Sequence, residues 1–550
     1  MRRTANYALA VIVLLVFGAA SSAAAPPASG PSRQDVAKKI LASRAGQMLS
    51  PGARSYMEGV ARNDHRLAPD SNGITGKAAK VTSAKGQGGT PLVNVRVNNP
   101  ALDTHQTDQT TQSETTIAVA GSNVAVGYNN SQHGLLFLTA GADLTGYAYS
   151  TDGGQTFTDG GQLPNAPGNV NLGDPWLASD NAGNMYFSTL TIDAATGFLL
   201  VGVSSSTDGG KTWTPAASIP PPPAQCIPGG KGCGLFFYSA DKDALTTGPG
   251  SGNLYDVWDD FTVDPNTFTE LSGLPVAHST DGGQTWTINY ASKLPIFDPN
   301  GGCSFNQYIG AQPLVNGNTV VDVAELISVN DPNCLGAPVT FSEAVFVSKD
   351  GGVTFTPGAV IPITSSTPNG SNIFQLGTAQ FMRNLEFPVL ASFKGDTYMA
   401  WNDGGDGSGH SHIRLAQLDG NGQVVSTTFI TGGTNDEIQP ALSADSALHI
   451  AYYQISTDAS GNGMLDVFVS NSNSNGKAFK ARRVTSQSFP GVFTLPQFDP
   501  IIAFTYMGDY IANVSDGQHQ YFAWGDNRDI VTNFLWPNGR HDPDVFFAKQ

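Results

Sequence analysis

Four copies of one eight-residue string constrain this chain more than any other feature. Ser150–Phe157 (STDGGQTF), Ser206–Trp213 (STDGGKTW), Ser279–Trp286 (STDGGQTW) and Ser348–Phe355 (SKDGGVTF) recur at intervals of 56, 73 and 69 residues. Self-similarity at such a period means one supersecondary unit repeated and packed against its own copies. Within each string the chemistry is local. The Asp carboxylate (Asp152, Asp208, Asp281, Asp350) accepts N–H groups of its own turn, the glycines permit positive φ, and Ser and Thr add side-chain bonds. The terminal aromatic then fills the space between neighbouring sheets. A decayed copy stands at Ser472–Phe479, where Ser474 and Ala478 replace the Asp and Thr.

A second pattern interleaves with the first: a short strand, a Gly/Asn/Asp turn and an aromatic-rich strand. It begins near Ser113, Gly173, Asp241, Gly310, Leu385, Glu437 and Gly508, and each copy reads as a β-hairpin. After the first four hairpins come a third strand, the boxed turn and a fourth strand. Four strands per unit are the blades of a propeller. The expected fold is therefore all-β, a seven-bladed propeller over residues 91–550, with six blades as the alternative. The last blade runs out of chain after three strands, so Pro91–Asn99 (PLVNVRVNN) is assigned as the strand that closes the ring and removes its open edge.

The N-terminus is different in kind. Arg2 and Arg3 precede an apolar run, Ala8–Phe17, and a small-residue tract, Gly18–Ala25, which together read as a secretory signal over residues 1–25. No segment is long enough to span a bilayer. Residues 26–90 form a helical extension and linker. In DVAKKILASRAGQML the apolar Val36, Ile40, Leu41 and Met48 fall near one face of a helix, and Gly73–Gly89 reads as flexible linker. Export makes Cys226, Cys233, Cys303 and Cys334 readable as two disulfides. Three pairings are possible, and the local one, Cys226–Cys233 with Cys303–Cys334, keeps each loop within one repeat. A zinc site competes poorly because no C-x-x-C pair exists.

Charge is split along the chain. The first 90 residues carry 12 Lys/Arg against 4 Asp/Glu, so the remainder is more acidic than the overall net charge of −17. Such a surface repels nucleic acid and anionic lipid. Neutral or cationic partners fit better.

The boxes resemble those of the sialidase-like, or Asp-box (BNR-repeat), β-propellers, over about residues 113–550. The resemblance implies a propeller acting on or binding extracellular carbohydrate, a glycan or glycoprotein partner, a monomer, and a glycoside hydrolase if the protein is an enzyme. It fixes architecture far better than activity, because fold does not fix function. Sialidases of this type hold the sialate carboxylate with three arginines and use a Tyr nucleophile. Here Arg96 lies in a VRVNNP string without the usual Ile-Pro, Arg383 and Arg528 are the axial candidates for substrate binding, and a third is not evident. Tyr510 stands where a nucleophile is possible, with packing as its bland alternative. True exo-sialidase activity is therefore disfavoured.

When the hairpins are aligned, the start of the first strand is acidic in six of seven: Glu114, Asp174, Asp243, Glu386, Glu437 and Asp509. In the fourth the place falls near Gln307 or Tyr308. In a propeller these positions converge on one mouth of the channel. Like charges so placed raise one another's pKa unless a cation or donors intervene. Three arrangements satisfy them: a bound cation, with Ca2+ on Glu114 and Asp174; paired carboxylates for glycoside chemistry, with Glu386, Glu437 and Asp509 as catalytic acids and Asp174 and Asp243 on substrate; or bonds to backbone N–H groups of neighbouring blades. No cofactor is required. The loop Trp401–His412 (WNDGGDGSGHSH) gathers Asp403, Asp406, His410 and His412 without a tight metal spacing, and Trp176, Trp258, Trp401 and Trp524 recur at equivalent places as core or as sugar-stacking faces. The alternative to an enzyme is a non-catalytic glycan- or protein-binding scaffold.

Overall fold

Alternating small, β-branched and aromatic residues between Gly/Asn turns give this chain strands, and their lengths give it hairpins. The computed structural model describes residues 32–43, 46, 49–62, 92–103, 111–131, 143–193, 195–222, 237–264, 267–367, 373–375, 381–474, 476–491, 507–532 and 537–550. The first unit has strands Gln112–Ala120, Asn123–Asn130, Thr145–Ser150 and Thr158–Gln162, paired antiparallel in sequence order. The same up-and-down order recurs along the chain. Two consecutive units, Trp176–Ser218 and Tyr238–Pro295, are joined edge to edge by one parallel pairing, Ser239 with Leu199.

The innermost strands are Gln112–Ala120, Trp176–Ser179, Tyr238–Thr247, Phe305–Asn316, Val389–Phe393, Asp436–Ala444 and Ala512–Ser515. Each touches the next, and the last returns to the first. The chain is a β-propeller. In its last unit the outermost strand is Asn94–Arg96, laid antiparallel on Arg540–Lys549 with Val95 opposite Phe547.

The boxed turns are made as their chemistry requires. Asp152 Oδ1 accepts the N–H groups of Gln155 (2.9 Å) and Thr156 (3.0 Å), and Oδ2 accepts the Thr156 hydroxyl at 2.6 Å. Ser150 Oγ donates to Asp152 and accepts the Gly154 N–H. Asp208, Asp281 and Asp350 repeat the pattern. In the third copy the bonds from Thr285 and Ser279 lower the Asp281 pKa to about 2. In the decayed copy Ser474 Oγ still accepts the Ala478 N–H at 3.0 Å. The box aromatics sit between sheets. Phe157 packs edge-on against Phe547 of the last unit at 4.9 Å, and Trp213 meets Phe187 at 5.4 Å and Tyr147 of the preceding unit at 6.2 Å.

The described residues between 33 and 62 fold back onto the ring. Ser32 and Asp35 cap the helix Arg33–Leu41, and a second helix spans Pro51–Arg62. Val36, Ile40, Leu49, Ala53 and Met57 enter one core with Phe198, Tyr238 and Phe305. Polar anchors flank this contact: Lys39 pairs with Glu270 at 2.9 Å, and the Tyr56 hydroxyl donates to the Gly197 carbonyl. Cys303 and Cys334 are disulfide-bonded. Cys226 and Cys233, Met48, residues 1–25 and the stretch 73–89 lie outside the described residues.

Because Trp213 is buried between two units, its truncation leaves a cavity where the sheets meet. Trp213→Ala should lower unfolding free energy by ~3–5 kcal/mol, read as a shift of the urea midpoint. An unchanged midpoint would show that the ring does not depend on its box aromatics.

Candidate functional site

The innermost strands are not regular. Their pairing slips by one residue between Ser113 and Thr116, Asp241 and Ala244, Ile309 and Gln312, and Ile438 and Ala441. Each slip is a β-bulge. Glu114, Asp174, Lys242 and Gln439 adopt φ of 49° to 52°, a left-handed conformation that side chains with a Cβ seldom take. Gly310 and Gly508 fill the same role without that cost; a Cβ on Gly310 would lie 2.4 Å from Phe387. Structurally equivalent positions are thus Glu114, Asp174, Lys242, Gly310, Gln439 and Gly508. Asp243, Glu437 and Asp509 are displaced from this position by one or two residues, which corrects the alignment of acids read from the hairpins. A basic residue sits in the series where sequence alignment placed Asp243.

The acids consequently fall into three hydrogen-bonded groups, and among the described residues no hydrogen bond or ion pair joins Glu386, Glu437 and Asp509 to one another. Asp509 is gripped by Arg383 through Nε (2.9 Å) and Nη2 and by Lys242 Nζ at 2.5 Å. Burial opposes its charge, but the two cations hold its pKa below the usual carboxylate value. Burial also opposes the charge on Lys242, and the Asp509 carboxylate overcomes it and raises its pKa. Glu114 accepts the Asp509 N–H (3.1 Å) through Oε1 and Asn129 Nδ2 (2.6 Å) through Oε2.

Asp174 and Asp243 stand beside this clamp with all four carboxylate oxygens buried and without hydrogen-bond partners. Burial, with the Glu114 charge second, pushes the Asp174 pKa well up; burial pushes Asp243 up to about 8. Tyr510 belongs to the same group. Its hydroxyl donates to the Pro175 carbonyl at 2.9 Å, its ring lies 5.4 Å from Trp176, and burial keeps the phenol protonated. A neutral phenol engaged on a carbonyl is no nucleophile in this arrangement.

Glu386 forms the second group. Its N–H donates to Glu325 at 3.1 Å and its Oε1 accepts the Ser366 N–H at 2.9 Å. Burial raises it to about 7 and raises Glu343 well above the ordinary range. Glu437 forms the third, accepting from Gln454 at 2.9 Å and lying 2.6 Å from His412 Nδ1. Of the loop expected to gather Asp403, Asp406, His410 and His412, His412 approaches Asp406 at 3.4 Å, while His410 approaches Asp436 at 3.4 Å. Asp403 instead turns inward, to Trp401 Nε1 and Arg414. Trp258, Trp401 and Trp524 are buried as core, and only Trp176 of the series is partly accessible.

Arginine placement departs from the axial expectation. Arg528 binds Asp526 and reaches Ser486 and Asn94 at the closing seam, and Arg96 pairs with Asp529 at 2.9 Å beside it. Of the two axial candidates only Arg383 faces the axial group. The Ser50 N–H donates to Asp241 at 3.0 Å, and Arg383 Nη1 donates to the Leu49 carbonyl at 2.8 Å. The N-terminal segment therefore lies directly on the charged group. Sequence reasoning missed Lys242, Asp241 and this contact; the lysine inside DKDA was the available signal.

No protein-family model and no curated protein matches the sequence. Among solved structures the chain is similar to a protein of unknown function from Dyadobacter fermentans DSM 18053 (11% identity, TM-score 0.39, 83% of this chain and 97% of that one). It is also similar to the α-L-arabinofuranosidase Arb93A of Fusarium graminearum (12%, 0.40, 83% and 98%) and to the phage phi92 endosialidase (10%, 0.40, 84% and 69%). At such scores these likenesses carry nothing about activity.

Glu386 supplies a pH test. Its pKa, about 7 when folded against an ordinary 4.5, means that the folded state binds the proton more tightly. Stability from this group is complete below the ordinary value and is lost as pH rises toward 7. Glu386→Gln should flatten the fall in melting temperature between pH 5 and pH 8; equal slopes in both proteins would remove Glu386 from that role.

Proposed function

We propose that this protein is an exported carbohydrate-acting propeller whose site is the axial group of Asp174, Asp243, Asp509, Lys242, Arg383 and Tyr510. One observation carries the reading: at a single hub, Asp509 is paired with two cations, which lower its pKa, while Asp174 and Asp243 are buried beside it, which pushes their pKa values up. Carboxyl groups driven to opposite protonation states are the equipment of acid–base chemistry on a glycosidic bond. A neutral acid can donate to a sugar hydroxyl or leaving oxygen, and the ionised one can accept. The tilted Trp176–Tyr510 pair offers an aromatic face of the kind that packs on a sugar ring. Four residues held in left-handed conformations at the same mouth fit a site that stores backbone strain for function. Among the described residues Arg383 is the one arginine at the axial group, and its commitment to Asp509 weighs against a sialate clamp. The Cys303–Cys334 bond supports an oxidising compartment, and among the described residues no helix is long and apolar enough to cross a membrane.

A second reading has its own observation. Leu49 and Ser50 already engage Arg383 and Asp241, so the hub is closed in this form and the propeller can serve as a binding scaffold through other surfaces. One experiment separates the two. Met57→Asp puts a charge into the contact between the N-terminal helices and the ring. On a panel of neutral polysaccharides this variant should bind or release sugar more strongly than the native chain, and adding Asp174→Asn should cut turnover by at least ~100-fold. A fluorogenic sialoside should remain intact throughout. If Met57→Asp neither binds nor cleaves any glycan while its far-UV spectrum stays native, the scaffold reading stands.

A further inference from the structure

A buried imidazole that the axial site does not use stands where the fifth unit meets the sixth. The second and third strands of the fifth unit, Asp396–Asp403 and His412–Leu418, are joined by a Gly-rich loop, residues 404–411. His412 opens the third strand fully buried, with Asp403 opposite it in register. Its Nδ1 lies 2.6 Å from Glu437 Oε2 at the start of the sixth unit, and Glu437 Oε1 accepts from Gln454 at 2.9 Å. An ionised carboxylate only accepts, so Nδ1 carries the proton. The other ring nitrogen faces a second carboxylate: Nε2 lies 3.4 Å from Asp406 Oδ2 and makes no hydrogen bond.

A neutral imidazole between two carboxylates is one proton short. With Nδ1–H on Glu437, the Nε2 lone pair faces the Asp406 oxygen, and a second proton turns that contact into a charged hydrogen bond. Asp406 is prepared for it. Ser408 donates to Oδ1 through its N–H (2.8 Å) and its hydroxyl (2.6 Å), and Oδ2 is the oxygen left toward the ring. Against the opposing effect of burial, these bonds hold the Asp406 pKa below the usual value. Of the other titratable groups beside the ring, Asp403 binds Trp401 Nε1 and Arg414, while Asp436 accepts the Ser411 N–H at 2.7 Å and lies 3.4 Å from His410. Burial opposes a charge on His412 as well, and the Glu437 bond, with the charges of Glu437 and Asp406, overcomes it and raises its pKa above the ordinary 6.5. The loop is fastened at its two ends, by the Gly405 N–H on Asp403 and by Ser411 on Asp436 and Glu437. Between them residues 405–409 are exposed, and the bonds of Ser408 to Asp406 and of the His410 N–H to the Ser408 hydroxyl shape the tip without joining it to the next unit.

We propose that His412 is a proton-operated latch: as imidazolium it joins Asp406 to Glu437 and pins the loop of the fifth unit onto the sixth, and as neutral imidazole it lets Asp406 go. Glu437 stands two residues before the bulge residue Gln439, so the latch lies beside the hub, and it is independent of the carbohydrate reading. Because the folded-state pKa is the higher one, the stability from this group is complete below 6.5 and is lost as pH rises through the folded value. In the full chain labelled with 13C at histidine Cε1, the His412 resonance should titrate with a midpoint above 6.5. It is identified by its loss in His412→Gln or, should that variant lose the native far-UV spectrum, by elimination with single variants of the other histidines. Asp406→Asn, on the exposed loop, should lower that midpoint by about half a pH unit or more, about a threefold loss of proton affinity. At pH 6 proteinase K should nick residues 403–411 at least about threefold faster in Asp406→Asn than in the native chain, and at pH 8.5 the two should be cut at equal rates. A midpoint at or below 6.5, a midpoint unmoved in Asp406→Asn, or equal nicking at pH 6 would overturn the proposal.

Discussion

A bulge turns a backbone N–H out of its sheet, and a buried N–H without a partner costs about 1–3 kcal/mol. This propeller is built around that debt. Asn129, Asp259, Glu325 and Asn402, each on the second strand of a unit, accept the N–H groups of Asp174 (2.8 Å), Gly310 (2.9 Å), Glu386 (3.1 Å) and Gln439 (3.3 Å) in the following unit. Where the ring closes the direction is reversed: Glu114, on the first strand of the first unit, accepts the Asp509 N–H of the last unit at 3.1 Å. The sheets are therefore joined at the hub by directed polar bonds as well as by aromatic packing at the rim. Such bonds fix the rotation of one sheet against the next, which non-directional burial leaves loose.

Electrostatics at the hub follow from this stitching. Acceptors and bulge residues crowd onto one axis, and several of them are acidic. Without counter-charge the acids would all be driven to the neutral form. Lys242 and Arg383 hold the Asp509 pKa below the usual carboxylate range, while burial pushes those of Asp174 and Asp243 up. Arg383 then keeps one donor and Asp241 its acceptors, and the N-terminal segment uses both through Leu49 and Ser50. The apolar stripe of the two helices supplies the rest of that contact. The arm thus docks where the hub has unused hydrogen-bonding capacity beside an apolar wall.

The boxes, the hairpins, the Asn94–Arg96 closing strand and the helix Arg33–Leu41 were legible because each rests on local pattern: a carboxylate in its own turn, a Gly/Asn turn, an apolar helical face. The site was legible only in outline. That acids gather at the hub could be read from repeated strand starts, but which residue occupies the bulge could not. A bulge inserts one residue without a sequence mark unless glycine fills it, as Gly310 and Gly508 do. Lys242 in DKDA was therefore passed over for Asp243, and Glu437 was taken where Gln439 stands. The partition into three groups depends on side chains from second strands, and period-2 alternation carries no information about which neighbour an acceptor meets.

Closure poses a separate problem, because strands from the two ends of the chain must find each other across the longest loop in the molecule. Only three residues of Asn94–Arg96 pair with Arg540–Lys549. The asparagines of NVRVNN compensate. Asn94 donates to the Val484 carbonyl and accepts the Ser486 N–H of the sixth unit at 2.6 Å, while Asn98 binds Asp544 and Val545 of the last unit. The Asn99 N–H reaches Asp159 of the first unit at 2.7 Å. One short segment thereby holds three successive units, and its polarity, unusual for a strand, is the consequence of that duty. An apolar strand of the same length would bury more area, but it would leave the Val484 carbonyl and Ser486 N–H of the sixth unit and the Asp544 carboxylate and Val545 N–H of the last without these side-chain partners.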